Sequence, residues 1–280
     1  MSLAPRLAIA ALMFQVHLWA QTSGGAPQVS GEPSPPQAVD RDEPLYLELN
    51  GFDNFVNNNY GRWKGGGAKI MYRGAKHFAP IFGFATQKRP EGSDQVYGLD
   101  SYLTFNKWFY LIGGISGSPE GTAILFPRYQ YGVTAIVTVP GTQGLAATLA
   151  ASQNHGDDEG KGRIFSVGAL YYCCHGIWSG NISFNRSYPG AVPSKSGGLA
   201  VQFGAQNKFW IGGGMSGGRI AYQTIALRPL DVRFMSFGPN FFYQQWINGK
   251  VGFIVKYDYQ NQLEAYQRHG ISASLFFEFP

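Results

Sequence analysis

Beyond its first twenty residues the chain carries four histidines, His77, His155, His175 and His269. A hydrolytic site would need one of them beside a serine, with an Asn or Asp to orient the ring. His77, His175 and His269 fall near expected strand ends or turns, and His155 falls in a polar loop; no strand-to-helix nucleophile elbow is expected among the alternating segments. The expectation is a protein that is not an enzyme, with a hydrolase as the third-ranked reading. The densest acidic patch is His155-Gly156-Asp157-Asp158-Glu159. Its three carboxylates could hold Ca²⁺ or another hard cation, but the spacing is not that of an EF-hand loop. His155, Asp157, Asp158 and Glu159 are therefore read as an outer, solvated loop and not as a metal centre. Cys173 and Cys174 are adjacent, so they form no CxxC metal or redox motif. Neighbours along a strand point to opposite faces, which makes an ordinary bridge between them strained. No cofactor is implied.

The remaining polar chemistry is spread along the chain on segments of alternating character. Leu45, Leu47 and Leu49 share one face, and Tyr46, Glu48 and Asn50 share the other. Trp178, Ile182 and Phe184 alternate with Ser179, Asn181, Ser183 and Asn185, and Phe253, Val255, Tyr257 and Tyr259 alternate with Ile254, Lys256 and Asp258. A period of two means strands with one wet and one dry face. If the dry faces meet lipid, then Glu48, Asn50, Lys69, Arg73, Asp100, Arg128, Gln130, Asn181, Asn185, Gln202, Lys256, Asp258 and Glu278 point inward. Charges of both signs could pair across such a lumen and plug it, or could line a passage for a polar solute. Inward positions such as Gly98, Gly132, Gly204, Gly212 and Gly214 leave space or permit curvature.

The elements that must hold these residues follow from composition. The chain has 280 residues, with 44% hydrophobic and 15% aromatic content and 38 glycines. Mean hydropathy is only -0.15. Apolar residues are therefore diluted by polar ones along the chain, and abundant Gly and aromatics suit a sheet better than helices. The exception is the N terminus, where a weakly positive start, the apolar run Leu7 to Phe14 and a small residue at Ala20 read as a signal peptide over 1–20. Residues 21–43, rich in Pro, Gly and Ser, read as a disordered periplasmic leader. Residues 44–280 read as one outer-membrane β-barrel domain. The formal net charge of +5 is scattered, which leaves no nucleic-acid footprint.

Strand centres are expected near residues 49, 69, 82, 100, 112, 133, 149, 168, 181, 201, 212, 239, 255 and 274. That makes an all-β, antiparallel, up-and-down transmembrane barrel of fourteen strands, or twelve if 122–140 or 219–245 is miscounted. Short connectors such as Gly74-Ala75-Lys76, Asn106-Lys107 and Cys174-His175-Gly176 alternate with longer polar stretches at 55–63, 87–94, 154–162, 187–197, 218–229 and 260–268. Short turns on one side and long loops on the other is the habit of outer-membrane barrels. Asn248-Gly249 is a favoured two-residue hairpin turn. The last segment places Ile271, Ala273, Leu275, Phe277 and Phe279 on one face, with Pro280 after the final aromatic. A Gram-negative outer membrane is the expected location. Its lipid and lipopolysaccharide are expected partners, and the strand ending at Phe279 is the expected contact for the barrel-assembly machinery.

The chain resembles the YaiO family of outer-membrane β-barrel proteins from about Pro44 to Phe279. The likeness rests on Phe126-Pro127-Arg128-Tyr129, on the unit Leu145 to Tyr172 around Asn154-His155-Gly156-Asp157-Asp158, and on the strand Gly270 to Phe279. The resemblance implies a barrel in the outer membrane and brings no catalytic residues. It suggests an association with cell-surface polysaccharide machinery, as a pore or accessory component. The alternative is a structural or ligand-binding surface barrel with a plugged lumen.

Overall fold

The computed structural model describes residues 44–119, 125–142, 144–156, 161–188, 190–219, 223–224, 229–230, 235–263 and 265–280. The signal peptide and leader assigned to 1–43, and Asp157, Asp158 and Glu159, lie outside the described residues. Fourteen antiparallel strands form a closed barrel in which each pairs with its neighbour in sequence. They are β1 (Leu45–Val56), β2 (Gly61–Tyr72), β3 (Phe78–Arg89), β4 (Gly92–Asn106), β5 (Phe109–Gly117), β6 (Tyr129–Thr138), β7 (Leu145–His155), β8 (Lys161–Cys173), β9 (Gly176–Tyr188), β10 (Val192–Ala205), β11 (Phe209–Arg219), β12 (Met235–Trp246), β13 (Val251–Gln262) and β14 (Tyr266–Phe279). Each expected centre falls inside one of them. A two-residue ladder, Gln223–Thr224 with Pro229–Leu230, lies between β11 and β12.

The barrel closes where β1 pairs with β14, from Leu45 opposite Phe279 to Val56 opposite Arg268. Closure leaves no strand edge, which is the condition for placing a sheet in lipid. Both ends of the wall lie on one rim, the periplasmic one in barrels of this class. A rung of paired residues that starts low on β5 at Tyr110 passes through Ile136, Thr148 and Gly168 and ends high on β1 at Val56. That climb of about one strand length is the stagger of strands tilted by ~35–45°.

The dry face points outward. Leu49, Ile70, Phe82, Leu99, Ile115, Leu199 and Ile271 are all exposed. Aromatics bracket this apolar belt, with Phe78, Trp108, Tyr171, Trp178 and Phe209 near the periplasmic rim and Phe55, Tyr97, Tyr129 and Phe165 near the outer rim. Tyr97 and Phe105 on β4 are separated by about 20 Å of tilted strand, close to the apolar height of outer-membrane barrels.

The connectors depart from expectation. The strands run nine to fifteen residues and absorb most of the stretches read as long loops. Residues 87–94 become a hairpin turning at Pro90 and Glu91, and 187–197 one with a turn at Gly190 and Ala191. Polar residues in the absorbed stretches alternate as regularly as apolar ones do lower down, because a strand that clears the membrane meets water on its outer face. Asn248-Gly249 does not make a two-residue turn either. Gly249 alone has positive φ, Ile247 N–H donates to Val251 O at 2.7 Å, and the Asn248 side chain accepts from the amides of Lys250 and Val251. Positive φ at both central positions, which a type I′ turn requires, is found at Cys174 (55°) and His175 (60°). Both cysteines are free.

Candidate functional site

The inward faces make three zones. At the periplasmic end every strand contributes to one apolar floor. Its core includes Tyr46, Met71, Ile81, Tyr102, Ile112, Ile136, Leu170, Ile177, Trp210, Phe242, Trp246, Ile254 and Phe276, with Ala200 of β10 against it. Ile136, Leu170 and Phe276 are fully buried. Phe276 stacks on Tyr46 at 5.9 Å and meets Trp246 edge-on at 5.1 Å. The low exposure of these inward side chains shows that packed apolar groups crowd the periplasmic end of the lumen. Sequence reasoning missed this floor. Its trace is a loss of alternation beside the periplasmic turns, as in Leu45-Tyr46-Leu47, Ile70-Met71-Tyr72 and Phe209-Trp210-Ile211.

The second zone is ionic and confined to one side. Within the strands, inward charged residues occur only on β13, β14 and β1–β4, the strands flanking the closure seam. Glu48 lies opposite Lys69 in the ladder, with Lys69 Nζ 2.9 Å from its carboxylate. The Tyr46 hydroxyl donates to the same carboxylate at 2.8 Å. Just below the end of β2, Arg73 Nη1 lies 3.0 Å from Glu278 and its guanidinium covers the Tyr46 ring at 4.6 Å. Higher up, Arg268 pairs with Asp258 at 2.9 Å, and Arg89 lies 3.9 Å over the Trp63 ring. The expectation that charges might pair across the lumen is thus corrected. They pair along the wall at the seam, because adjacent rungs bring side chains within about 5 Å whereas the far wall of a barrel this wide is ~25 Å away.

The third zone is the opposite wall, β5–β12, whose inward strand positions hold no charged residue among those described. Ser152, Ser166, Asn181, Ser183, Asn185, Ser194, Ser196, Ser216 and Asn240 line it between small glycines. Ser166 and Ser183 hydroxyls lie 2.7 Å apart, Asn181 Nδ2 donates to Ser183 at 3.2 Å, and Asn185 Nδ2 donates to Ser196 at 3.4 Å. Asn181 Oδ1, Asn185 Oδ1, Ser194 Oγ and both side-chain polar atoms of Gln202 are buried without a hydrogen-bond partner in the protein. At mid-height Asn50 is exposed, and Asp100, Lys256, Asp258 and Ser272 are half-buried. Accessible polar groups thus face the space above the floor on the seam side, whereas Asn181, Ser183, Ser194, Ser196 and Ser216 of the opposite wall are buried.

Of the expected lumen residues, Glu48, Asn50, Lys69, Asp100, Lys256 and Asp258 share the inward face, Arg73 and Glu278 pair at the periplasmic rim, and Arg128 is exposed on the outer rim just before β6. The outer rim is partly covered by the segment leading to β6. Leu125 and Phe126 are buried, and their amides both donate to Asp94 Oδ2 at 3.0 Å. None of the described histidines faces the lumen. His77 accompanies a periplasmic turn, bonding Thr104 O, and His175 is in one. His269 bonds the Tyr257 hydroxyl on the outer surface. His155 stacks on Tyr129 at 4.2 Å at the outward end of β7.

Comparison with known proteins places these features in context. A family model described as the YaiO membrane beta barrel domain matches residues 46–223, well over half the chain. No curated protein matches it. Among solved structures, a bacterial polysaccharide outer membrane secretin superposes with a TM-score of 0.59 at 6% identity, covering 86% of this chain and 100% of that one. The CymD monoaromatic hydrocarbon channel superposes with 0.54 at 9% identity, over 85% and 89%. An anion-selective porin from Comamonas acidovorans gives 0.48 at 8% identity, over 84% and 98%. At such identities the likeness is one of fold.

Proposed function

The chain belongs to the YaiO membrane beta barrel family and resides in the Gram-negative outer membrane, and from that premise we propose a non-enzymatic barrel whose lumen is a surface-facing chamber for a neutral saccharide. One observation carries the reading. The chamber has an uncharged wall of hydroxyl and amide groups on β5–β12, among them the half-buried Ser152, Ser166, Asn185 and Asn240, above a floor of packed apolar side chains. Hydroxyls and amides exchange hydrogen bonds with sugar hydroxyls without the desolvation cost of an ion. The floor disfavours a permanently open pore. The saccharide reading agrees in kind with the polysaccharide secretin of similar fold. A gated conduit for export is the second reading, favoured by small inward residues at mid-height such as Gly98, Gly132 and Gly214. The outward face of β14 ending at Phe279 is the segment that assembly machinery would meet.

The test is planar-bilayer conductance of the refolded protein, with and without added neutral surface oligosaccharides. Electrically silent bilayers together with saccharide-dependent quenching of lumen tryptophan fluorescence are expected. Steady conductance that saccharide leaves unchanged would overturn the chamber reading.

A further inference from the structure

On the outer surface, away from the lumen, a groove of ≈ 940 Å³ follows one rung of the wall from β4 to β9. Its sides are outward apolar residues, including Leu99, Ile115, Val133 and Phe165, and its floor is open at Gly113, which has no side chain to fill it. The groove ends at Arg163 and Arg186. These two are directly paired across β8 and β9, on the lipid-facing side, and both are exposed. Like charges facing each other across strands destabilise a sheet. Among the described residues no carboxylate forms an ion pair with either. Arg163 Nε donates only to the neutral Gln153 side chain at 3.1 Å. Lys195, also exposed, lies on the next strand one diagonal step from Arg186 and reaches over the Phe184 ring at 5.7 Å. Arg163 stands about ten residues above the periplasmic end of β8, which is ~25 Å of tilted strand. That is the height at which the apolar belt of an outer-membrane barrel gives way to headgroups.

We propose that this groove is a binding site for one phosphorylated glycolipid of the outer leaflet, with an acyl chain along the groove and a headgroup phosphate held between Arg163 and Arg186. A phosphate supplies the negative charge that no described carboxylate gives the paired guanidiniums, and two guanidiniums present forked donors that match its oxygens. The apolar groove supplies what a free phosphate could not use. The site stands on the outward face alone and does not rest on the chamber reading.

The probe is bisphosphorylated lipid A, with its dephosphorylated form and phosphatidylglycerol as comparisons, scored by native mass spectrometry of the refolded full-length protein released from nanodiscs. Wild type is expected to retain one bisphosphorylated lipid A. R163Q/R186Q should weaken retention at least about ten-fold, the loss of one charge-assisted contact. Gly113→Leu is tolerated by the backbone, since a Cβ there would meet only Gly132 O at 3.8 Å. It should weaken lipid A retention with both arginines intact. The heat-dependent gel shift of each variant confirms a folded barrel. Equal retention of lipid A by folded R163Q/R186Q would overturn the proposal. So would equal retention of the phosphate-free form or of phosphatidylglycerol by wild type.

Discussion

If the apolar floor seals the lumen, removing its central rings should open the barrel without unfolding it. Phe276 is the place to cut. It is fully buried, lies in register with Gly252, and its ring packs on Tyr46 and Trp246. Truncating a buried Phe to Ala costs about 3–5 kcal/mol, part of it the cavity left behind. The two aromatic contacts account for roughly 1–3 kcal/mol of that. Phe276 is flanked on both sides by intact ladders, each pairing twelve residues of β14 with β1 or β13. The loss should therefore appear mainly as a hole and only in part as a lower urea midpoint. In planar bilayers wild type is expected to be silent, F276A to show brief openings, and F276A/W246A to conduct steadily. Phe276→Leu, which retains most of the volume, should stay near silent. A folded F276A/W246A as silent as wild type would refute the claim that packing of these rings is the seal. Wild-type conductance equal to that of the double variant would refute it as well.

Three further outcomes follow from the same geometry. Glu48→Gln removes the buried carboxylate that Lys69 Nζ contacts at 2.9 Å and should lower vesicle-refolded stability by about 1.5–3 kcal/mol, while E48L/K69M should recover much of that loss in urea titrations; equal midpoints for wild type and E48Q would contradict the pairing. Asp94→Ala removes the acceptor shared by the Leu125 and Phe126 amides, so hydrogen exchange at each of those amides should accelerate by about 10- to 10²-fold, on the basis of ~1.5–3 kcal/mol per bond to a charged group, with Asp94→Asn intermediate. Cys174, exposed in a turn on the rim that carries both barrel ends, should resist an impermeant maleimide on intact cells and react once the outer membrane is permeabilised; labelling of intact cells would invert the assigned orientation.

Much of this molecule is written in its local pattern. Alternation such as Leu45 to Asn50 or Trp178 to Asn185 states which side chains meet lipid, and period two is a property of any strand whatever its partners. Strand number and the outward face of β14 followed from that alone, as did the inward direction of Glu48, Lys69, Lys256 and Asp258. Three things were decided only by closure. The floor exists because inward residues from all fourteen strands, unremarkable singly, converge at one height. The charges cluster because β1 and β14, at opposite ends of the chain, become neighbours at the seam, so that Arg73 reaches Glu278. Arg163 and Arg186 face each other because the register of β8 on β9 sets them opposite; their spacing in sequence says nothing of that distance. Local pattern determines which way a side chain points, whereas its neighbours depend on stagger and ring closure, which a single strand does not contain.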